Sequence, residues 1–198
     1  MEQKTFVIAT GNAKKLAELT RILAPLGIKA ASPAQLGFTL PDVAETGVTF
    51  EENAYLKAAA ACRTTGLPAV ADDSGLCVDA LGGAPGVYSA RYAGPGATDR
   101  QLYEKLLAAM QAVPNDRRTA RFVCAVCCVW PDGRTLTVRG ECEGVIGRAP
   151  VGEGGFGYDP VFMVGSQSYA QMSAAEKDAV SHRGKALRAL QAALRETK

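Results

Sequence analysis

The stretch from Arg121 to Ile146 leaves this chain little freedom in how it folds. "RFVCAVCCVW" is an unbroken apolar run, "PDGR" a turn, and "TLTVRGECEGVI" an alternating run in which Leu136, Val138 and Cys142 interleave with Thr137, Arg139, Glu141 and Glu143. A continuous apolar run reads as a buried strand, and strict alternation as a strand with one wet face. Together they predict a β-hairpin. Earlier segments have a different rhythm. "KTFVIAT" (4–10) is a short β-branched strand stopped by Gly11-Asn12, and Leu16, Leu19, Leu23 and Leu26 follow at helical spacing with Asn12 as candidate N-cap. "LPAVADD" (67–73) reads as another strand, ending in two aspartates. Strand–helix alternation followed by a hairpin predicts an α/β fold with a mixed sheet flanked by helices.

Capping boxes punctuate the helices. Thr49 with Glu52, Thr98 with Gln101 and Ser173 with Glu176 each fit the pattern, and Ser181 is a candidate cap for a last helix with Leu187, Leu190 and Leu194 inward. At 198 residues the chain suits one domain, 1–198, with room for two lobes. No apolar run is long enough to span a bilayer, so no membrane partner is expected. "MEQKTFVIAT" lacks the pattern of a signal peptide, so the expected location is cytoplasmic. A net charge of +2 is too small for a general binder of nucleic-acid polymers, though not for a local basic pocket. The six cysteines are expected as reduced thiols, and Cys124, Cys127 and Cys128 as core strand residues rather than a zinc hook.

Five segments carry candidate chemistry. "TGNAKK" (Thr10, Gly11, Asn12, Ala13, Lys14, Lys15) lies at a strand-to-helix junction, where free N–H groups favour an anion. Lys14 and Lys15 oppose the helix dipole by about 0.3–1 kcal/mol each, which makes sense if a polyanion docks there. In "ETGVTFEENAYLKA", Glu45 precedes a helix whose edge carries Asn53 and Lys57; Lys57 either snorkels outward or reaches into a pocket. "ADDSGL" offers Asp72, Asp73 and Ser74. Carboxylates here, with Glu45 as a second donor, suit Mg²⁺, which binds through one or two carboxylates plus substrate phosphates; an Asx turn is the structural alternative. In "GGFGYDP", glycines let the backbone approach a flat ligand, the Phe156 ring offers a stacking face, and Asp159 can accept from a base edge. "EKDAVSHRGKAL" gathers Lys177, His182 and Arg183 around a helix start. His182 is given no proton-transfer role.

In this order the five segments resemble the inosine triphosphate pyrophosphatase family in its bacterial form, from Thr10 to about Leu187. The resemblance implies an elongated mixed sheet with two lobes around a central nucleotide cleft, usually in a homodimer. It implies Mg²⁺-dependent hydrolysis of ITP, dITP and XTP to monophosphate and pyrophosphate. By position, Thr10–Lys15 and Lys57 would hold the triphosphate, Glu45 and Asp73 the metal, and Asp73 would accept a proton. Ser74 would touch substrate, Phe156, Gly157, Tyr158 and Asp159 would hold the base, and Lys177, His182 and Arg183 would complete the site. Because a strand alternates its faces, Asp72 and Asp73 are expected to do different jobs. Two other readings stay open: a pyrophosphatase for modified pyrimidine nucleotides, and a non-catalytic nucleotide- or RNA-binding module.

Overall fold

The computed structural model of the chain describes residues 4–11 and 13–196, with only the backbone of Ala13, Lys14 and Glu18. Among the described residues seven strands, β1 (Lys4–Ile8), β2 (Ile28–Ala31), β3 (Ala69–Val78), β4 (Thr119–Val129), β5 (Thr135–Ile146), β6 (Phe162–Val164) and β7 (Gln167–Ser168), form one sheet in the order β2-β1-β3-β4-β5-β6-β7. β1 is parallel to β2 and β3, whereas β6 is antiparallel to β5 and β7. The sheet is therefore mixed, as expected. Its helices are α1 (Ala13–Leu23), α2 (Phe50–Thr65), α3 (Asp99–Ala109), α4 (Ala174–Val180) and α5 (His182–Glu196). The chain gathers into two compact units. The first holds the described residues up to Asp73, Cys124–Gly140 and Lys185 onward; the second holds Ser74–Val123 and Glu141–Gly184.

In the first unit, Phe6, Ile8 and Val70 share a buried cluster with Leu19 and Leu23 of α1, Leu187, Leu190 and Leu194 of α5, and Cys124, Val126 and Cys128 of β4. Helical spacing on α1 and α5 and period-two spacing on the strands bring these side chains to one face. Val7 lies between Phe6 and Ile8 and is fully buried on the opposite face, where α2 packs against β1 with Ala54, Ala58 and Ala61 buried. The second unit has its own core, including Leu76 and Val78 of β3, Leu102 and Leu106 of α3, and Phe122, Phe162 and Tyr169.

The capping boxes of α2, α3 and α4 form as expected, and the Ser181 hydroxyl accepts from Gly184 N–H to cap α5. Asn12, the candidate cap of α1, lies outside the described residues. One boundary differs. The strand expected to end at Asp73 continues through Ser74 and Gly75 to Val78. Aspartate and glycine are poor strand formers by propensity, but the strand's place in the sheet beside β4 and a cation for each aspartate override that preference.

Candidate active site

Strand parity decides what surrounds the paired aspartates. β1 and β3 are in register with Val7 opposite Ala69 and Ile8 opposite Val70. Asp72, two residues beyond Val70, points to the α1 face, where Lys15 Nζ lies 2.7 Å from its Oδ2. Asp73, two residues beyond Ala71, points to the α2 face. There Lys57 Nζ donates to Asp73 Oδ1 at 3.1 Å and to Glu45 Oε1 at 2.8 Å, while Asn53 Nδ2 donates to Asp73 Oδ2 at 3.3 Å. Both aspartates are buried. The structure thus takes the inward option for Lys57: it reaches two carboxylates instead of snorkelling.

One ammonium shared by two carboxylates leaves the Glu45–Lys57–Asp73 trio net negative. Burial pushes the Asp73 carboxyl above its ordinary value; Lys57 and the Asn53 amide pull it back, and the Glu45 charge adds to the rise. Burial alone would lower the Lys57 ammonium, but Asp73 and Glu45 outweigh it and hold the group above its ordinary value, so Lys57 stays charged. The trio is therefore a hard-oxygen site already built around one cation. Among the described residues no three His, Cys, Asp or Glu side chains gather as a metal cage. What is present fits a hard divalent ion that takes one or two carboxylates and completes its shell with water and phosphate oxygens.

Around this trio the backbone is held closely. Gly47 N–H donates to Asn53 Oδ1 at 2.8 Å, and a Cβ at Gly47 would come within 2.7 Å of that oxygen. Glu52 Oε2 accepts from Val48 N–H and Thr49 N–H, completing the cap of α2. Thr10 and Gly11 follow β1, with Ala9 N–H bonded to Val70 O at 2.8 Å. The junction between β1 and α1 is as expected, but Asn12 and the side chains of Ala13 and Lys14 lie outside the described atoms.

The second unit holds the remaining candidates. Asp159 is buried, and its Oδ2 accepts from Phe156 N–H at 2.8 Å and from Lys177 Nζ. Gly155 has φ +77°, and a Cβ there would collide with the Asp159 carboxylate, so the tight loop requires glycine. The Lys177 ammonium also sits 5.1 Å from the centre of the Phe156 ring, which is 48% exposed. His182 is buried and stacks on Phe122 at 4.8 Å between ring centres; Phe122 in turn stacks on Tyr169 at 5.6 Å. Arg183 Nη2 donates to Ser74 Oγ at 3.2 Å. Tyr158 is buried in the core and its hydroxyl donates to Ser89 O, so its side chain serves the scaffold. Asp159 Oδ2, expected to meet a base edge, is already occupied by the loop's own amide and by Lys177.

Two features of the site have roles that only the folded chain defines. The sequence places Asn53 beside Lys57 on the helix edge, and in the structure it is fully buried and bonds Asp73. The sequence signal is its place one turn before Lys57, which marks the edge it shares but not the partners it meets. The aromatic bed of Phe122 and Tyr169 beneath His182 had none, because it joins residues far apart in the chain.

Residues 6–193 match the Ham1 family, and the chain belongs to it. The resemblance carried by the five ordered segments is thereby borne out. Its relatives include the dITP/XTP pyrophosphatase of Yersinia pseudotuberculosis, 50% identical over 194 residues that span 96% of this chain and 98% of the relative. That of Shigella flexneri is 51% identical over 193 residues, spanning 96% and 97%. Among solved structures, a HAM1 protein from Coxiella burnetii superposes with a TM-score of 0.91 at 44% identity, covering 98% of this chain and 99% of that one. The Ham1 protein of Staphylococcus aureus gives 0.90 at 40%, covering 98% and 100%.

Proposed function

We propose that this protein is a pyrophosphohydrolase of deaminated purine nucleoside triphosphates, converting dITP, XTP and ITP to the monophosphate and pyrophosphate and so keeping them out of DNA and RNA. The observation that carries the reading is the Glu45–Lys57–Asp73 trio, in which a half-buried lysine joins a half-buried glutamate to a buried aspartate. The names of relatives about half identical over nearly the whole chain supply the substrate class. A cytoplasmic homodimer is part of the proposal; among the described residues no helix is long and apolar enough to cross a membrane.

Glu45 and Asp73 would hold Mg²⁺, which when bound neutralises phosphate charge and polarises the α-phosphate toward attack. Lys57, fixed between the same carboxylates, presents its charge to the triphosphate. Lys15, with the Thr10–Lys15 junction, holds phosphate oxygens at the start of α1. Asp73, raised in pKa by burial, accepts the proton of the attacking water as the oxygen bonds to the α-phosphorus and the α–β anhydride breaks. Pyrophosphate leaves and no covalent intermediate forms. In the second unit, Lys177 on one face of Phe156 leaves the other for the base. His182 and Arg183, or their backbone, read O6, and Ser74 contacts the substrate. A 6-oxo, N1–H edge satisfies such a site, whereas adenine would leave buried groups unpaired.

Pyrophosphate release from dITP, XTP, ITP, dUTP, methylated pyrimidine triphosphates, ATP and GTP tests the proposal. Turnover of the first three with Mg²⁺, abolished by EDTA and restored by Mg²⁺, is the expected result. Preference for the pyrimidines, or no release at all, would overturn it.

A further inference from the structure

Asn53 has no place in the proton transfer or the phosphate contacts, yet both ends of its amide are committed. Its oxygen accepts from Gly47 N–H at 2.8 Å, and its nitrogen donates to Asp73 Oδ2 at 3.3 Å. The surroundings fix which end is which: a backbone N–H can only donate, and an ionised carboxylate can only accept. Gly47 lies two residues after Glu45. The amide therefore ties the segment that carries one carboxylate to the strand that carries the other, and Asn53 is fully buried while doing so. Lys57, one turn further along α2, bridges the same two carboxylates through their charges. A Cβ at Gly47 would lie 2.7 Å from both Asn53 Oδ1 and Glu52 Cβ, so the close approach depends on glycine.

We propose that Asn53 is a positioning residue of the hydrolytic site, setting Glu45 and Asp73 relative to each other through a donor–acceptor amide that Gly47 alone can approach. This rests on the hydrolase reading above. No other side chain of that length has both an acceptor for Gly47 and a donor for Asp73. Aspartate keeps the acceptor and loses the donor, leucine loses both, and glutamine is one methylene too long.

The first arm is kinetic, on Asn53→Asp and Gly47→Ala with the best of dITP, XTP and ITP. Each is expected to lower kcat about tenfold to a hundredfold, the scale of one hydrogen bond to a charged group, with KM changed less than about threefold. A smaller fall in kcat, or a loss carried by KM, overturns the proposal even if thermal stability drops, because that pattern marks a structural role. Gly47→Ala reads the same coupling if Asn53→Asp is not recovered folded. The second arm needs no turnover. Asp73→Asn should shift the side-chain ¹⁵N–H₂ resonances of Asn53, and Asn53→Leu should remove the exchange protection of the Gly47 amide. If neither changes, the tie is absent and the proposal falls. Should the wild-type protein hydrolyse none of the three nucleotides, the functional reading fails, and the resonance arm still decides whether Asn53 couples the two carboxylates.

Discussion

A lysine held between two carboxylates binds both most strongly while it stays charged. Lys57 meets that condition because Asp73 and Glu45 outweigh the cost of its burial. Asp73 carries the opposite tension, pushed toward its neutral form by burial and by Glu45. Asp72, on the other face of the strand, has Lys15 for a neighbour. The adjacent aspartates therefore face different cations and have different chemistry open to them. Asp73→Asn should lower kcat by at least about a hundredfold, as expected for loss of a general base. Asp72→Asn should act mainly through Lys15 and raise KM; similar losses in kcat for the two variants would show that they act as one unit. Phe156 is exposed and held from one side by Lys177. Phe156→Ala should raise KM for ITP about tenfold, the scale of one stacked base, and an unchanged KM would remove the stacking assignment.

Single elements present these residues through their ends. α2 begins on a capping box and brings Asn53 and Lys57 to β3 in its first two turns. α4 begins on another, and its Lys177 anchors the Phe156 loop through Asp159. That second cap is pH-dependent. Hydrogen bonds from the Ser173 hydroxyl and then from Ser173 N–H hold the Glu176 carboxyl below its ordinary value near 4.5. A depressed carboxyl stabilises the folded state above its unfolded pKa and loses that contribution as pH falls through the lower folded value. The Ser173 and Glu176 amides should therefore exchange faster with solvent as pH drops below about 4.5, relative to the amides of α3. Glu176→Gln should flatten that dependence, because the amide oxygen still accepts but no longer titrates. Persistence of the step in the glutamine variant would assign it elsewhere.

At the scale of the whole molecule, the first unit is assembled from distant stretches of chain. α5 returns from the C-terminal end to pack Leu187, Leu190 and Leu194 beside Phe6 and Ile8 of the first strand, with Cys124, Val126 and Cys128 of β4 alongside. Cys62, Cys77, Cys124, Cys127, Cys128 and Cys142 are all free thiols, so cohesion comes from packing. Leu190 is fully buried in that cluster, and Leu190→Ala should cost about 2–5 kcal/mol in denaturant unfolding. A cost below about 1 kcal/mol would mean that α5 is held by something other than this core.

Much of this was legible in the residues themselves. Apolar runs marked β1 and the β4–β5 hairpin, and capping boxes marked the starts of α2, α3 and α4, because those signals are local: a side chain and the backbone within one turn of it, or neighbours on one strand. The order of five short motifs was enough to indicate the family. Three things required the folded chain. β3 runs on through Asp72, Asp73, Ser74 and Gly75 because its place in the sheet beside β4 and the opposing lysines supply what propensity does not. Lys57 turns inward because Glu45 and Asp73, 12 and 16 residues away, converge on one point. Asn53 and the Phe122–Tyr169 bed under His182 have contacts that no sequence spacing encodes. The sequence determined which elements form and which residues are equipped for chemistry. The tertiary structure decided which charges meet, because Coulomb and hydrogen-bond energies depend on distance through space, and only the packed sheet sets those distances.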